Sequence, residues 1–542
     1  MAETKPPEMG TAGALYKTLE QDRMPFLMRA IDAARYTIPT LVPPLGHSKA
    51  TKFYTPYQSV GARGVNNLAS KLLLALLPPN TPCFRLDVDE NVLAKLGMMP
   101  EQKASVDSKL AKMERSVQRK IETEAIRVSV FEALKHTVVA GNALLYLPQA
   151  GGMKVFHLSN YVLQRDPMGK LLDMVVRETV STAVLTDEVK ALLGTKPEDK
   201  AADSKTDAPT GTAVNAESRT DNIELFTHVA WDDNKWRVYQ EVKGMVIPST
   251  KGTYPADKSP WIPIRMQKVD GESYGRGYVE EYIGDIKSLE GLSQAIVEGA
   301  AAAAKILFLV NPNGTTEMAD LAETESGGFC EGTAADVSVL QLEKYNDFRV
   351  TLEAAAKIEE RLSAAFMLNS SVQRTGERVT AEEIRFMAQE LESSLGGVYS
   401  ILSQELQLPL IVRLMFRMQR AKELPVLPKG IVKPVIVTGL EALGRGNDLN
   451  KLDTFMSAVM QIPEAVSRVN WGDYMTRRAT ALCIDTEGLI KTDVQVQQEQ
   501  QQAQMMQMAQ QGLAPAIGAV GQMAKQGIAN NGKVQTAEPP AP

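Results

Sequence analysis

The sequence predicts an α+β protein, predominantly helical. Three observations carry that reading. Residues 278–306 hold no proline and include the run Ala300–Ala304, the mark of one long helix. Ile384, Met387, Leu391, Leu395, Val398 and Leu402 recur every three or four residues, the apolar stripe of an amphipathic helix. Between 155 and 266 the chain breaks into short apolar segments separated by turn residues, the pattern of strands.

The elements follow in order. Residues 10–40 read as a helix running up to Pro39, Pro43 and Pro44, and residues 58–77 as a helix stopped by Pro78-Pro79. Residues 99–146 read as two helices, the second, about 127–140, closed by Gly141-Asn142. Val155 to Val184 reads as strands with a turn at Asp166-Pro-Met-Gly169. Residues 194–221 carry almost no large apolar side chain and read as a flexible insertion. Strands resume at 222–248 and at Trp261–Met266. The helix from Tyr278 to Ile306 would span roughly 40 Å at 1.5 Å per residue. A small mixed segment follows at 311–346, opened by the turn Asn311-Pro-Asn-Gly314, then a helix at about 349–368. After a polar segment, Asn369–Val379, Thr380-Ala-Glu-Glu383 forms a capping box for the striped helix, which Pro409 should kink or end. Residues 425–445 are connections, 448–490 mixed helices, and the chain from 491 is rich in Gln, Met and Ala.

At 542 residues the chain allows three or four units of about 150 residues. Lys and Arg number 59 against 65 Asp and Glu. That balance argues against gripping nucleic acid over the whole surface, while transient contact stays open. Cys83, Cys330 and Cys483 are too scattered for a zinc ribbon or redox dithiol. The N-terminus lacks the basic flank and apolar run of a signal peptide, and no apolar run approaches the ~18 residues of a membrane span. A soluble, non-secreted protein without metal or cofactor is expected.

One enzymatic motif stands out. Gly271-Glu-Ser-Tyr-Gly275 is a literal G-x-S-x-G between a strand and a helix, the setting of a nucleophile elbow. Such a hydrolase needs a histidine after the serine, and His47, His136, His157 and His228 all precede Ser273. A tight turn opening the long helix is the simpler reading. Gly169-Lys170 and Gly532-Lys533 lack the following Ser or Thr of a P-loop, and Gly275-Arg-Gly277 is a lone GxG. The motifs favour a non-enzymatic structural protein. Between the two long helices, Arg374, Glu377 and Arg378 crowd a Gly-containing segment. It is either a solvated connection or a loop offered to an anionic ligand, where a ring of copies would multiply one weak positive charge.

YQSVGARGVNNLASKLLLALLPP (57–79), FEALKHTVVAGNALLYLP (131–148), DGESYGRGYVEEYIGDIKSLE (270–290), MLNSSVQRTGERVTAEEIR (367–385) and GGVYSILSQELQLPL (396–410) resemble the portal proteins of short-tailed, autographivirus-type bacteriophages. The resemblance runs from about 13 to about 490, with departures at 194–221 and after 491. It implies the portal fold, assembled as a ring, usually of twelve subunits. In it, 1–273 would form the wing, with the insertion 194–221, and 274–306 a stem helix. The clip would be 307–346, the second stem helix 347–368 and the tunnel loop 369–379. Residues 380–430 would be the long helix returning to the wing, 431–490 the crown and 491–542 a tail. The resemblance also implies a head-to-tail connector at one capsid vertex of the virion, assembled in the bacterial cytoplasm. Double-stranded DNA would pass through its channel during packaging and ejection. Terminase, a tail adaptor, and scaffold, capsid and internal core proteins would be its partners, with no membrane. A helical capsid scaffold or assembly protein without a channel is the alternative.

On that mapping Gln373, Arg374, Glu377 and Arg378 of the tunnel loop face DNA. The stem helix offers Glu280, Glu281, Asp285, Glu290 and Glu298 against Lys287 and Lys305, a balance of −3 per subunit. If this side lined the lumen it would repel phosphates and keep the duplex from sticking.

Overall fold

The structure is a computed structural model. It describes residues 12–79 (except 49), 83–88, 100–181, 185–193, 222–303, 307–340 (except 326–327), 345–368, 395, 397–427, 432–436, 452–462, 469, 471–481 and 501–503. The chain divides into two compact units, Met1–Leu440 and Glu441–Pro542. About half of it is helix and 22% strand, and the sheets among the described residues are open, an α+β composition.

The first unit opens with α1 (Ala12–Arg35), α2 (Val60–Leu76), β1 (Phe84–Val88), α3 (Pro100–Thr123) and α4 (Ile126–Ala140). α1 runs straight past Pro25, and its carboxyl end stops at Arg35, short of the prolines that bound it in the sequence. α4 is the centre of the core. Ile126, Val130, Ala133, Leu134, Val138 and Val139 are all buried, because α1, α2 and the later hairpin pack around it. Gly141 ends it at φ +74°, its N–H returned to the Thr137 carbonyl, which is the left-handed cap that glycine supplies at little cost.

β2 (Asn142–Tyr146) pairs antiparallel with β3 (Lys154–Phe156) and β9 (Trp261–Arg265). Between them β4 (Tyr161–Arg165), β5 (Leu171–Ser181), β6 (Asn222–Asp232), β7 (Lys235–Val242) and β8 (Met245–Pro255) form a five-stranded antiparallel meander. The turn joining β4 to β5 lies at Asp166–Gly169, with Gly169 at φ +87°. The amino end of α1 packs on this sheet through Tyr16 and Leu19 against Val162 and Val175. A short helix, α5 (Asp187–Leu192), covers its far strand, where Val189 meets Ile247. Residues 194–221 lie outside the described residues.

α6 (Tyr278–Ala303) leads to β10 (Leu307–Val310), α7 (Met318–Glu323), β11 (Val337–Leu340) and α8 (Tyr345–Ala365). Of the striped helix, Leu395, Val398 and Leu402 are described and buried, while Ile384, Met387 and Leu391 lie outside the described residues. Pro409 does not end it. α9 (Val398–Leu402) passes through a π-helical turn at Ser403–Gln407 into α10 (Leu408–Arg420). A proline lacks the N–H for the residue four back and crowds its carbonyl, and one widened turn accommodates both. β12 (Val432–Ile436) then pairs with β1 inside the first unit. In the second unit, α11 (Trp471–Ala481) is tied to Asp453 by the Tyr474 hydroxyl at 3.0 Å and by Arg478 at 3.3 Å.

Candidate functional site: a helical hairpin, its root and its tip

α6 and α8 form an antiparallel hairpin. The Tyr278 hydroxyl at the start of α6 donates to the Ala365 carbonyl at the end of α8 (2.9 Å), and Asp285 meets Arg361 (2.9 Å). The β10–β11 pair stands at the tip.

The root is a clasp of glycines. A Cβ at Gly141 would overlap the backbone of Arg276 and Gly277. One at Gly277 would lie 2.5 Å from the Val139 carbonyl, and one at Gly275 2.8 Å from the Gly141 carbonyl. Asn142 is buried in the clasp. Its Nδ2 donates to the Gly275 carbonyl (2.8 Å) and its Oδ1 accepts from the Gly275 N–H (2.7 Å). The G-x-S-x-G segment is therefore a joint. Ser273 Oγ accepts the Arg165 N–H at 3.3 Å, and the Tyr274 hydroxyl accepts the Leu163 N–H at 2.9 Å. These contacts set where α6 leaves the core.

The stem candidates are brought onto the first half of α6, and each is engaged within the chain. Glu280 receives Arg276 (3.0 Å) and Arg29 (3.2 Å). Glu281 is exposed and accepts from the Gln267 amide. Asp285 holds Arg361 of the opposite helix. Lys287 is paired with Asp32 of α1 at 2.7 Å. Glu290 is 4% exposed, so the expectation that it lines a lumen is corrected. Its carboxylate takes the Tyr54 hydroxyl (2.6 Å) and the N–H groups of Tyr57 (2.9 Å) and Gln58 (3.2 Å). Three donors converge on it, and the hydrogen bond from Tyr54 pushes the Tyr54 pKa up to about 12.

The second half of α6 differs. From Gly291 to Ala301 it is mostly small residues at partly or fully exposed positions, with Val297 53% exposed and Glu298 accepting from Gln294. On α8, Glu359 and Glu360 are exposed and have no ion-pair partner among the described residues. The acidic surface of the hairpin thus falls on α8 more than on the first half of α6, which the sequence balance did not distinguish.

The carboxyl end of α8 is tied to α2. Asn67 Nδ2 donates to the carbonyls of Phe366 and Met367, both at 3.0 Å, and Lys71 Nζ to that of Met367 at 3.1 Å. Helix carboxyl termini leave carbonyls unpaired and attract cations, so Lys71 is well placed although buried. Phe366 packs edge-on to Tyr278, and a Cβ at Gly64 would lie 2.6 Å from its ring. Sequence reasoning missed Asn67 and Lys71. Their signal was two polar side chains four apart inside the apolar run of α2. Residue 368 is thereby fixed where the 369–379 segment begins. Gln373, Arg374, Glu377 and Arg378 lie outside the described residues.

At the tip, the Asp336 carboxylate accepts from the Thr315 N–H (2.9 Å), Thr315 Oγ1 (3.2 Å) and Thr316 Oγ1 (3.3 Å). Those donors, the Thr315 N–H first, hold its pKa below the ordinary carboxylate value. Phe329 is fully exposed.

Comparison with known proteins bears on this arrangement. Residues 10–490 match the family model described as bacteriophage head to tail connecting protein. The chain is 45% identical to the portal protein of Escherichia phage T7, over 90% of this chain and 89% of that one. It is 31% identical to the portal protein of Enterobacteria phage SP6, over 95% and 97%. Among solved structures, the neck of the native gene transfer agent particle computed with C12 symmetry aligns over 73% of this chain and 85% of that one, at 9% identity and a TM-score of 0.32.

Proposed function

The chain belongs to the bacteriophage head to tail connecting protein family and acts as a phage portal, and from that premise we propose that about twelve copies close into a ring around a DNA channel. The observation that carries the proposal is the family match over residues 10–490, which takes in the clasp, the hairpin, its tip and the 369–379 loop. The ring interface would be head-to-tail, closing by rotation.

In this reading the α6–α8 hairpin is the stem, the β10–β11 tip the clip, and 369–379 the tunnel loop. Double-stranded DNA passes through during packaging and ejection. The loop contributes Arg374 and Arg378 against Glu377, a sparse positive ring that holds the duplex briefly. Glu359 and Glu360 of α8, with Glu281 and Glu298, supply the carboxylates that keep phosphates from settling on the wall. The chain supplies geometry. A terminase docking at the clip drives packaging, a tail adaptor binds beneath it, and scaffold, capsid and core proteins surround the wing and crown. Assembly takes place in the bacterial cytoplasm. The chain's fold supports the reading through its rigid root: the glycine clasp and the α2 ties fix both ends of the hairpin, so a loop at its base can be held at a set radius. A scaffold protein without a channel is not favoured, since the relatives at this identity are portal proteins.

Negative-stain electron microscopy of the purified chain tests the ring. Class averages with rotational symmetry near twelve and a central hole wide enough for duplex DNA are expected. Solid particles, filaments or persistent monomers across salt conditions would overturn it. Charge reversal, R374E with R378E, should lower DNA packaging or retention, and unchanged packaging and retention would remove the loop's role.

A further inference from the structure

Outside the hairpin, one charge cluster is unbalanced. Arg265 of β9 is 4% exposed. Its Nε donates to Glu405 Oε1 at 3.0 Å, its Nη2 also reaches Glu405, and its Nη1 is buried without a hydrogen-bond partner among the described residues. Arg165 lies beside it at the end of β4. Its Nη1 donates to the Gly169 carbonyl (2.9 Å) and its Nη2 to the Pro263 carbonyl (3.4 Å), while its Nε is likewise buried and unpartnered. Burial, with the charge of Arg265 opposing, lowers the Arg165 pKa to about 10 even against the pull of Glu405.

Lys268 completes the group. Its Nζ donates to the Met168 carbonyl at 3.3 Å. Gly169 sits among the three cations. A Cβ there would lie 3.1 Å from Lys268 Nζ and 3.3 Å from Arg265 Nη2. The missing side chain lets Lys268 and Arg265 close over that face of the turn. Tyr161 and Tyr274, the other titratable groups near Arg165, are held neutral by burial. Among the described residues, one carboxylate contacts the three cations, Glu405, and it does so through Arg265 alone. Two buried guanidinium nitrogens go unanswered, an arrangement that costs free energy unless an acceptor completes it.

We propose that the turn at Gly169 is an oxyanion site, receiving a carboxylate or phosphate group beside Arg165, Arg265 and Lys268. Guanidinium groups match the paired oxygens of both. Lys268 is exposed, and in this reading it swings aside to admit the anion to the buried donors. The oxyanion has two sources, free phosphate or a carboxylate side chain from a second copy of this chain. The second is favoured by the acidic excess of the chain and by the exposed apolar rim, with Met168 84% and Val269 39% exposed.

The test uses the full chain, kept as single copies, with inorganic phosphate as the probe. Thermal unfolding is followed against sodium phosphate and against sodium chloride at equal ionic strength. The unaltered chain should show a saturable rise of about 1 °C at ten times Kd in phosphate beyond chloride. K268Q and R165Q should lose that excess, and K268Q, at an exposed position, decides the matter if R165Q fails to fold. A response to phosphate no larger than to chloride, as a buried water on the orphan donors would give, overturns the proposal. So does a full phosphate response in K268Q. Repeating the titration on assembled particles separates the sources. If the neighbour's carboxylate fills the site, assembly abolishes the phosphate response and K268Q particles fall apart at lower salt. If free phosphate fills it, the response survives assembly.

Discussion

The two halves of α6 are one continuous helix with opposite surroundings. From Tyr278 to Glu290 one face is bound to the protein: Tyr278, Val279, Ile286 and Leu289 are in the core, and Glu280, Asp285, Lys287 and Glu290 are each paired. From Gly291 to Ala301 it is mostly small residues at partly or fully exposed positions. The difference teaches that charge on a helix is not the same as charge in a channel. The acidic residues of the first half hold the hairpin onto α1, α8 and the 54–58 segment. Among the described residues, the second half is held by fewer side chains of its own chain, Glu298 accepting from Gln294 within it.

The largest effects should come from the root. G141A places a side chain at φ +74° against the backbone of Arg276. The left-handed backbone and the overlap together should cost roughly 3–5 kcal/mol. G64A drives a Cβ into Phe366 and should also lower the melting temperature by several degrees. Thermal unfolding checks both. Wild-type stability in G141A would mean that the clasp does not hold the hairpin.

Acid should separate the halves next. His136 belongs to α4, the helix on which α6 packs, and is buried, which lowers its pKa to about 3, with the charges of His157 and Lys135 adding to the effect. An unfolded histidine takes its proton near 6.5. The unfolded state therefore binds more protons between about 6.5 and about 3, and stability falls as pH drops through that window. At pH 4 the loss from His136 alone is about 3 kcal/mol. H136Q should flatten the dependence of denaturant midpoints on pH between 7 and 4, and an unaltered slope would place the acid sensitivity elsewhere.

Much of this was legible in the sequence, and the misses have a common cause. The boundaries of α2, α4 and α8, the turn at Gly169 and the meander followed from local signals: prolines, a capping glycine, alternation. The G-x-S-x-G segment was correctly placed at a strand-to-helix turn, but its partner, Gly141, is more than a hundred residues away. Glu290 looked like its neighbours because its three donors come from residues 54–58. Asn67 and Lys71 matter through carbonyls at 366 and 367. Pairings across such distances are tertiary facts, and helical periodicity does not report them. Gln373, Arg374, Glu377 and Arg378 lie outside the described residues.

Glu290 gives a smaller, sharper contrast with Glu298, ten ångströms or so further along the same helix at ~1.5 Å per residue. E290Q leaves one oxygen for three donors and sets an amide N–H₂ against the rest. A loss of roughly 1–3 kcal/mol is expected. E298Q, at an exposed position, should change stability by less than about 0.5 kcal/mol. Equal effects in the two variants would erase the division drawn here.

The smallest effect runs in the opposite direction and tests the second half itself. Gly291 is exposed, and a Cβ there would meet nothing within 4 Å in the chain. Within a helix, alanine is favoured over glycine by about 0.8–1 kcal/mol. G291A should therefore raise the stability of the single chain, where G64A and G141A lower it. The useful measurement pairs unfolding with particle symmetry by electron microscopy. If G291A single chains are more stable and rings still form, the glycine is a local weakness and the second half packs loosely against its neighbours. If the single chain gains stability while rings are lost, the missing side chain is kept for the close approach of another copy. A stability loss in the single chain would contradict the open surroundings on which the contrast between the two halves depends.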